Sequence, residues 1–176
     1  MAFIDLARER YSERRFAPTP IPPEKLNLIL EAGRVAPTAC NNQPQRILVV
    51  DTPEGLAKMD RCTRCRFGAP CVLVLAYDMA KAARNPDVVD FGVVDTSIVG
   101  THMMLQAAEL GVHSCWVGLI DPSELRSQFN VPNTYRVISV MPMGYPGAHS
   151  RPSSRHEQSL PLDELVFRES FAESEQ

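Results

Sequence analysis

The sequence predicts a single domain in which a β-sheet is covered by helices on both faces. Three observations predict it. Helical and strand-like patterns alternate along the chain. The strand-like runs are apolar at successive positions, as expected where both faces of a strand are buried. The 176 residues, 44% of them apolar, suffice for one core of ordinary size.

The elements follow in order. Phe3 to Arg10 carries Phe3, Ile4, Leu6 and Ala7 on one side, the pattern of a short helix. Pro18, Pro20, Pro22 and Pro23 interrupt regular structure. Pro23 then suits the first position of a second helix, where a missing N–H costs no hydrogen bond. Leu26, Ile29 and Leu30 give that helix an apolar stripe, and Gly33 to Pro37 ends it. Ile47 to Val50 reads as a buried strand, Pro53 to Asp60 as a helix and Val72 to Tyr77 as a second buried strand. Lys81 to Pro86 is a polar loop.

The longest helical pattern runs from Val88 to Leu110. Its residues Val94, Ile98, Thr101, Leu105 and Ala108 have the alternating four–three spacing of a helix packed along another helix. Gly111 stops it. His113 to Val117 is a third strand, Pro122 to Phe129 a helix and Tyr135 to Met143 a fourth strand. The remainder, residues 144–176, is a tail rich in Pro, Ser and Arg. Its apolar patch at Leu162, Leu165, Val166 and Phe167 suits docking onto another surface.

Composition excludes several function classes. The net charge is −3, so there is no global attraction to nucleic acid or to an anionic membrane. No apolar run has the length of a membrane span. The N-terminus is amphipathic and charged rather than a secretory leader, which points to the cytoplasm. An odd number of cysteines, five, points to reduced thiols. No G-x-G-x-x-G, G-x-x-x-x-G-K-[ST], G-x-S-x-G or H-E-x-x-H motif occurs. Cys62, Cys65 and Cys71 lack a fourth zinc ligand, and the C-x-x-C precedes a strand instead of opening a helix. The favoured reading is a loop or helix end whose cysteines are incidental. A metal or thiol protein built on these three residues is the competing one.

Four separated segments offer groups suited to an anion or a flat heterocycle. In Arg10-Tyr11-Ser12-Glu13-Arg14-Arg15-Phe16, Arg10 and Arg14 can present guanidinium forks to one phosphate, with Ser12 between them. The alternative is a solvated basic face. In Ala36-Pro37-Thr38-Ala39-Cys40-Asn41-Asn42-Gln43-Pro44, the amides can read the edge of a polar ring. The alternative is plain turn chemistry. In Gly111-Val112-His113-Ser114-Cys115-Trp116-Val117-Gly118, a strand ending in Trp-Val-Gly lets a flat ligand approach the main chain at the glycine. The alternative is a core strand and a turn. Gly144-Tyr145-Pro146, followed by Arg151, Arg155 and His156, is either a return to the same phosphate or a basic loop.

In this order and spacing the four segments resemble the nitroreductase family of FMN-dependent oxidoreductases. The resemblance rests on Arg10-Tyr11-Ser12 with Arg14 and Phe16, and on Ala36-Pro37-Thr38 with Asn41, Gln43 and Pro44. It continues through Asp95 in the long helix, Leu110-Gly111 with Trp116 and Gly118, Gly144-Tyr145-Pro146, and Pro161-Leu162-Asp163-Glu164-Leu165-Val166. It spans nearly the whole chain.

The resemblance implies an α+β fold, three-layered α/β/α with a central, mostly antiparallel sheet. Two such chains interlock as a homodimer, with FMN at the interface. It also implies one domain over residues 1–176, whose tail (144–176) embraces the partner. Arg10, Tyr11, Ser12 and Arg14 would hold the phosphate and ribityl end. Pro37, Thr38, Asn41 and Gln43 would line the flavin, partly from the other subunit. Trp116, Val117 and Gly118 would pass beside the isoalloxazine. A basic tail residue would close on the phosphate, Arg155 first and Arg151 second. NADH or NADPH would reduce the flavin, and a nitro compound or similar electron-poor small molecule would then accept the electrons in a ping-pong cycle. A flavin-binding sensor or carrier without fast turnover is the alternative. The chain departs from the family pattern at Cys40, where glycine is frequent, and at Gln45, where an aromatic is frequent. It departs again at Ser159-Leu160 and across Cys62 to Cys71.

Overall fold

The computed structural model describes residues 2–85 and 89–171. Its elements are α1 (Phe3–Glu9), α2 (Pro23–Arg34), a 3₁₀ turn (Ala39–Asn41), β1 (Gln45–Val50), α3 (Pro53–Cys62) and β2 (Cys71–Asp78). They continue with β3 (Arg84–Asn85), β4 (Val89–Asp90), α4 (Phe91–Glu109), β5 (His113–Ser114), α5 (Pro122–Phe129), β6 (Tyr135–Gly144) and α6 (Leu162–Leu165). The main sheet has the order β1-β2-β6-β5, and every pairing is antiparallel.

The core explains why β2 is an unbroken apolar run. Cys71, Leu73 and Leu75 point to one face and join Ile29 of α2 with Val99, Met103 and Ala107 of α4. Val72 and Val74 point to the other face and join Met59 of α3 and Leu125 of α5. A strand alternates its side chains, so two apolar faces need apolar residues at every position. The result is the three-layer α/β/α arrangement expected of the α+β fold.

Four local expectations are corrected or bounded. The long helix begins at Phe91, because Asp90 caps it by accepting from the Gly92 N–H (3.1 Å). The expected start at Val88 lies outside the described residues, as do Pro86 and the last five residues of the tail. Within the polar loop, Arg84–Asn85 pairs with Val89–Asp90 in a minimal two-stranded ribbon. That ribbon is too short to show alternation in sequence. The strand expected over His113 to Val117 has a regular ladder only at His113–Ser114, although Val117 pairs with Val140 in the same register. Cys115 donates to the Pro142 carbonyl (3.1 Å), but Pro142 has no N–H to return the bond, so one rung is half made.

The α4 stripe is the most informative difference. Within the chain, α4 packs through Gly92, Asp95, Thr96, Val99, Gly100, Met103 and Ala107, all buried. Val94, Ile98, Thr101, Leu105 and Ala108 lie on the opposite side of the helix, exposed or half-buried. The four–three seam is therefore not the buried face of α4: Val94 and Thr101 are exposed, while Ile98 packs at the edge of the core and Ala108 lines a cavity beside α1. Phe3 and Ile4 of α1 are exposed too, and so are Leu160, Leu162, Leu165, Val166, Phe167 and Phe171 of the tail.

Gly100 shows how closely α4 lies on the sheet. A Cβ there would sit 2.8 Å from Leu75 Cδ1 and deeper still in the ring of Trp116. Helix propensity alone favours Gly→Ala by about 1 kcal/mol. The overlap reverses the sign, and Gly100→Ala is expected to destabilise the fold by about 1–3 kcal/mol. Denaturant unfolding followed by the single tryptophan, Trp116, measures it; a more stable variant would refute the packing argument.

Candidate functional site

Three of the four sequence segments meet at one end of the sheet. After α1 the chain turns extended, and Ser12 bridges Ser114 in parallel while the Glu13 N–H donates to the Ser114 carbonyl (3.0 Å). Ala17 N–H donates to the Tyr145 carbonyl (2.9 Å), and Gly147 N–H to the Arg15 carbonyl (2.7 Å). Residues 12–17 are thus stitched between the third segment and the fourth. The Cys115 thiol is a witness: burial raises its pKa, opposed by the Arg14 guanidinium, the Ser12 hydroxyl and Arg10.

A groove of about 850 Å³ opens there, lined by Ser12, Glu13, Arg14 and Arg15 on one side and by His149, Ser150, Arg151, Pro152, Ser153 and Ser154 on the other. Among the described residues, none of these three arginines enters an ion pair. The carboxylate beside them, Glu13, is buried and turned inward. Its Oε1 accepts from the N–H groups of Arg14 (2.9 Å) and Arg15 (2.7 Å), and its Oε2 from Tyr11 OH (3.0 Å) and Ser150 Oγ (2.5 Å). Unpaired guanidinium groups, hydroxyls and no free carboxylate form a donor set suited to an anion.

Arg10 and Tyr11 line the adjoining cavity, about 460 Å³, with Phe3, Leu6, Ala108 and His113. The Tyr11 ring stands edge-on to His113, centroids 4.8 Å apart. Burial raises the Tyr11 pKa and lowers that of His113, so both are neutral near pH 7.

The second segment lies elsewhere. Ala39 N–H donates to Asp95 Oδ1 (2.9 Å), which ties the loop to the first turns of α4. The first and third segments sit beside Ala108 and Glu109, near its last turn. Thirteen helical residues separate the two ends by about 20 Å. Cys40, Asn41 and Gln43 all take left-handed backbone, at φ 53°, 53° and 49°. The frequency of glycine at the position of Cys40 in the family pattern follows from that geometry. The loop is held by Gln43 N–H donating to Thr38 Oγ1 and Gln43 Nε2 donating to Asn41 Oδ1, both 3.1 Å. Pro37, Asn41 and Gln43 are exposed.

Between the two ends lie Trp116, packed under Gly100, and Val117, paired with Val140. Gly118 is exposed, its φ is not positive, and a Cβ there would meet nothing within 4 Å. Neither packing nor backbone strain within the chain calls for glycine at this point, and the main chain there is open. The turn after it is held by the C-x-x-C region. Thr63 Oγ1 donates to the Leu119 carbonyl (2.6 Å), and Asp121 N–H donates to the Cys62 carbonyl (2.8 Å). Burial pushes the Cys62 thiol up to about 11 and Cys71 up to about 12. Neither supplies thiolate near neutral pH. Among the described residues, no three His, Cys, Asp or Glu side chains gather as a metal site. Through the Thr63 and Cys62 bonds the segment braces the turn at residues 119–121.

The structure therefore brings together Ser12, Arg14 and Arg151, with Arg10 and Tyr11 alongside. Pro37, Thr38, Asn41 and Gln43 are left at the other end of α4. Arg155 is exposed on a turn, its N–H donating to Ser153 Oγ (3.3 Å), and it does not line the groove. Arg15, Glu13 and Ser150 were not singled out from sequence. The available signal was Glu13 itself, the single acid in a stretch with three arginines.

The pattern of the nitroreductase family matches residues 7–67 and 65–145. The chain belongs to the nitroreductase family. Membership places this chain among oxidoreductases. A relative from Archaeoglobus fulgidus, provisionally named an NADH dehydrogenase/NAD(P)H nitroreductase, is 33% identical over 146 residues, covering 78% of this chain and 81% of the relative. The crystal structure of a nitroreductase family protein from Clostridium difficile is 37% identical, with a TM-score of 0.91 over 97% of this chain and all of the other. A second C. difficile structure, described as an FMN-dependent nitroreductase, is 25% identical with a TM-score of 0.80, covering 96% and 99%.

Proposed function

We propose that this nitroreductase-family chain is an FMN-dependent enzyme that takes electrons from NADH or NADPH and passes them to nitro compounds or similar electron-poor small molecules in a ping-pong cycle. The observation that carries the reading is the convergence of Ser12, Arg14 and Arg15 with Ser150 and Arg151 on one groove without a free carboxylate. These residues fit a phosphate dianion, and Gly118 leaves main chain open to a flat ring. Bound FMN would supply the hydride chemistry that no side chain here can. The chain's own tasks are to hold the phosphate, to present a shielded surface beside Trp116, and to exclude bulk water.

Within this reading the site needs two copies. The amide-bearing loop and the basic groove lie at opposite ends of α4, and Val94 and Thr101 of the α4 seam are exposed. Two chains paired by antiparallel α4 helices about a two-fold axis put the Asp95 end of one beside the Ala108 end of the other. Pro37, Thr38, Asn41 and Gln43 of one copy then face the groove of its mate. The exposed apolar residues of the tail, 144–176, suit an embrace of the mate. Among the described residues no helix is long and apolar enough to cross a membrane. The five free cysteines and the use of NAD(P)H suit the cytoplasm.

Purified protein is expected to be yellow, to release FMN on denaturation, and to oxidise NADH or NADPH when given a nitroaromatic or quinone. Protein that takes up no FMN would overturn the reading. Yellow protein without turnover would favour the sensor or carrier reading instead.

A further inference from the structure

The groove has two walls that belong to remote parts of the chain, residues 12–15 and residues 149–154. Among the described residues, side-chain hydrogen bonds join them at one point. Glu13, 1% exposed, lies between them and spends each carboxylate oxygen on two donors. Oε1 fixes the N–H groups of Arg14 and Arg15, which sets the path of the wall that carries both guanidinium groups. Oε2 takes the Ser150 hydroxyl, and Tyr11 OH donates to the same oxygen (3.0 Å) from 3.4 Å beside Ser150 Oγ. Arg151 is the next residue. Among the described residues, the main-chain bond that ties the second wall's root to the first segment is Gly147 N–H to the Arg15 carbonyl; Ser150 N–H closes a turn onto Gly147 and His156 N–H one onto Ser153, both within the loop itself.

We propose that Glu13 is a positioning residue: its carboxylate clasps the 149–154 loop to the 12–15 segment and so sets the spacing of Arg14, Arg15 and Arg151 around a bound phosphate. The proposal rests on the FMN reading above, but the clasp itself is a property of the chain. Its logic runs against simple charge. A carboxylate among guanidinium groups weakens their attraction for an anion, so charge alone predicts that removing it tightens phosphate binding. The clasp predicts the reverse, because guanidinium groups on an unfixed wall must be ordered again by the ligand.

The test uses the full-length protein as wild type, Glu13→Ala, Glu13→Gln and Ser150→Ala. Amide hydrogen exchange over residues 147–154 is measured without FMN, and FMN affinity by titration. The glutamine keeps the size and an acceptor oxygen, and its amide can donate to the Ser150 and Tyr11 oxygens. Expected results are faster exchange in Glu13→Ala and Ser150→Ala, with FMN affinity lowered about tenfold or more in Glu13→Ala and within about threefold of wild type in Glu13→Gln. Unchanged exchange in both alanine variants would overturn the clasp, whatever FMN does. Faster exchange with unchanged or tighter FMN binding would overturn the positioning role. If wild type binds no FMN, the functional reading fails and with it the positioning role, while the exchange data still decide the clasp. Should Glu13→Ala not fold, Ser150→Ala carries the same comparison.

Discussion

Replacing Arg151 with alanine is expected to weaken FMN binding about ten- to a hundredfold, and Arg155→Ala to leave it within about twofold. The contrast follows from position. Both residues lie in the same basic tail segment, and the family resemblance ranks Arg155 first. In the structure Arg151 lines the groove opposite Arg14, whereas Arg155 is exposed on the following turn. A charge-assisted bond to phosphate contributes roughly 1.5–3 kcal/mol, which is the fold-change quoted. A distant exposed charge acts only through screened solvent and contributes little. Equilibrium titration of the apoprotein with FMN, at fixed ionic strength, separates the two. A larger loss in Arg155→Ala would mean that the tail closes on the phosphate with a different residue, and the groove would lose its assignment.

What could be read from sequence tracks how local the cause is. The Pro-opened helices α2, α3 and α5 and the unbroken apolar run of β2 announce themselves, because capping and burial act within a few residues. The end of the β5 ladder was hidden, since it depends on Pro142 facing Cys115 across a strand pair far apart in the chain. Thr38, Asn41 and Gln43 could be recognised as a polar loop, but the left-handed backbone at Cys40 could only be suspected from a missing glycine. Glu13 was invisible for a different reason. Its partners Tyr11 and Ser150 come from opposite ends of the chain, and a carboxylate in a basic stretch reads as surface charge until its burial is known. The C-x-x-C stretch is the converse case. Its spacing suggests chemistry, while Cys62 and Cys71 are buried and Thr63 bonds to the Leu119 carbonyl, contacts between segments far apart in the chain.

The α4 seam supports the prediction with the greatest reach. Thr101 sits at its middle, exposed in the single chain, with its hydroxyl bonded only to the Ser97 carbonyl one turn back (2.8 Å). A glutamate there should cost the isolated chain no more than about 0.5 kcal/mol, as surface substitutions usually do. In a two-fold pair of α4 helices the same change brings two carboxylates into an apolar seam close to the axis. Burying unpaired charge costs several kcal/mol per ion. On the proposed pairing, wild type is expected to be dimeric and Thr101→Glu monomeric at the same concentration, by sedimentation or light scattering. The variant should lose FMN as well, because the loop bearing Asn41 and Gln43 no longer reaches the groove. Those two losses must come together if the flavin site is shared. A monomer that keeps wild-type FMN affinity would confine the site to one chain, and an intact dimer would move the interface off α4.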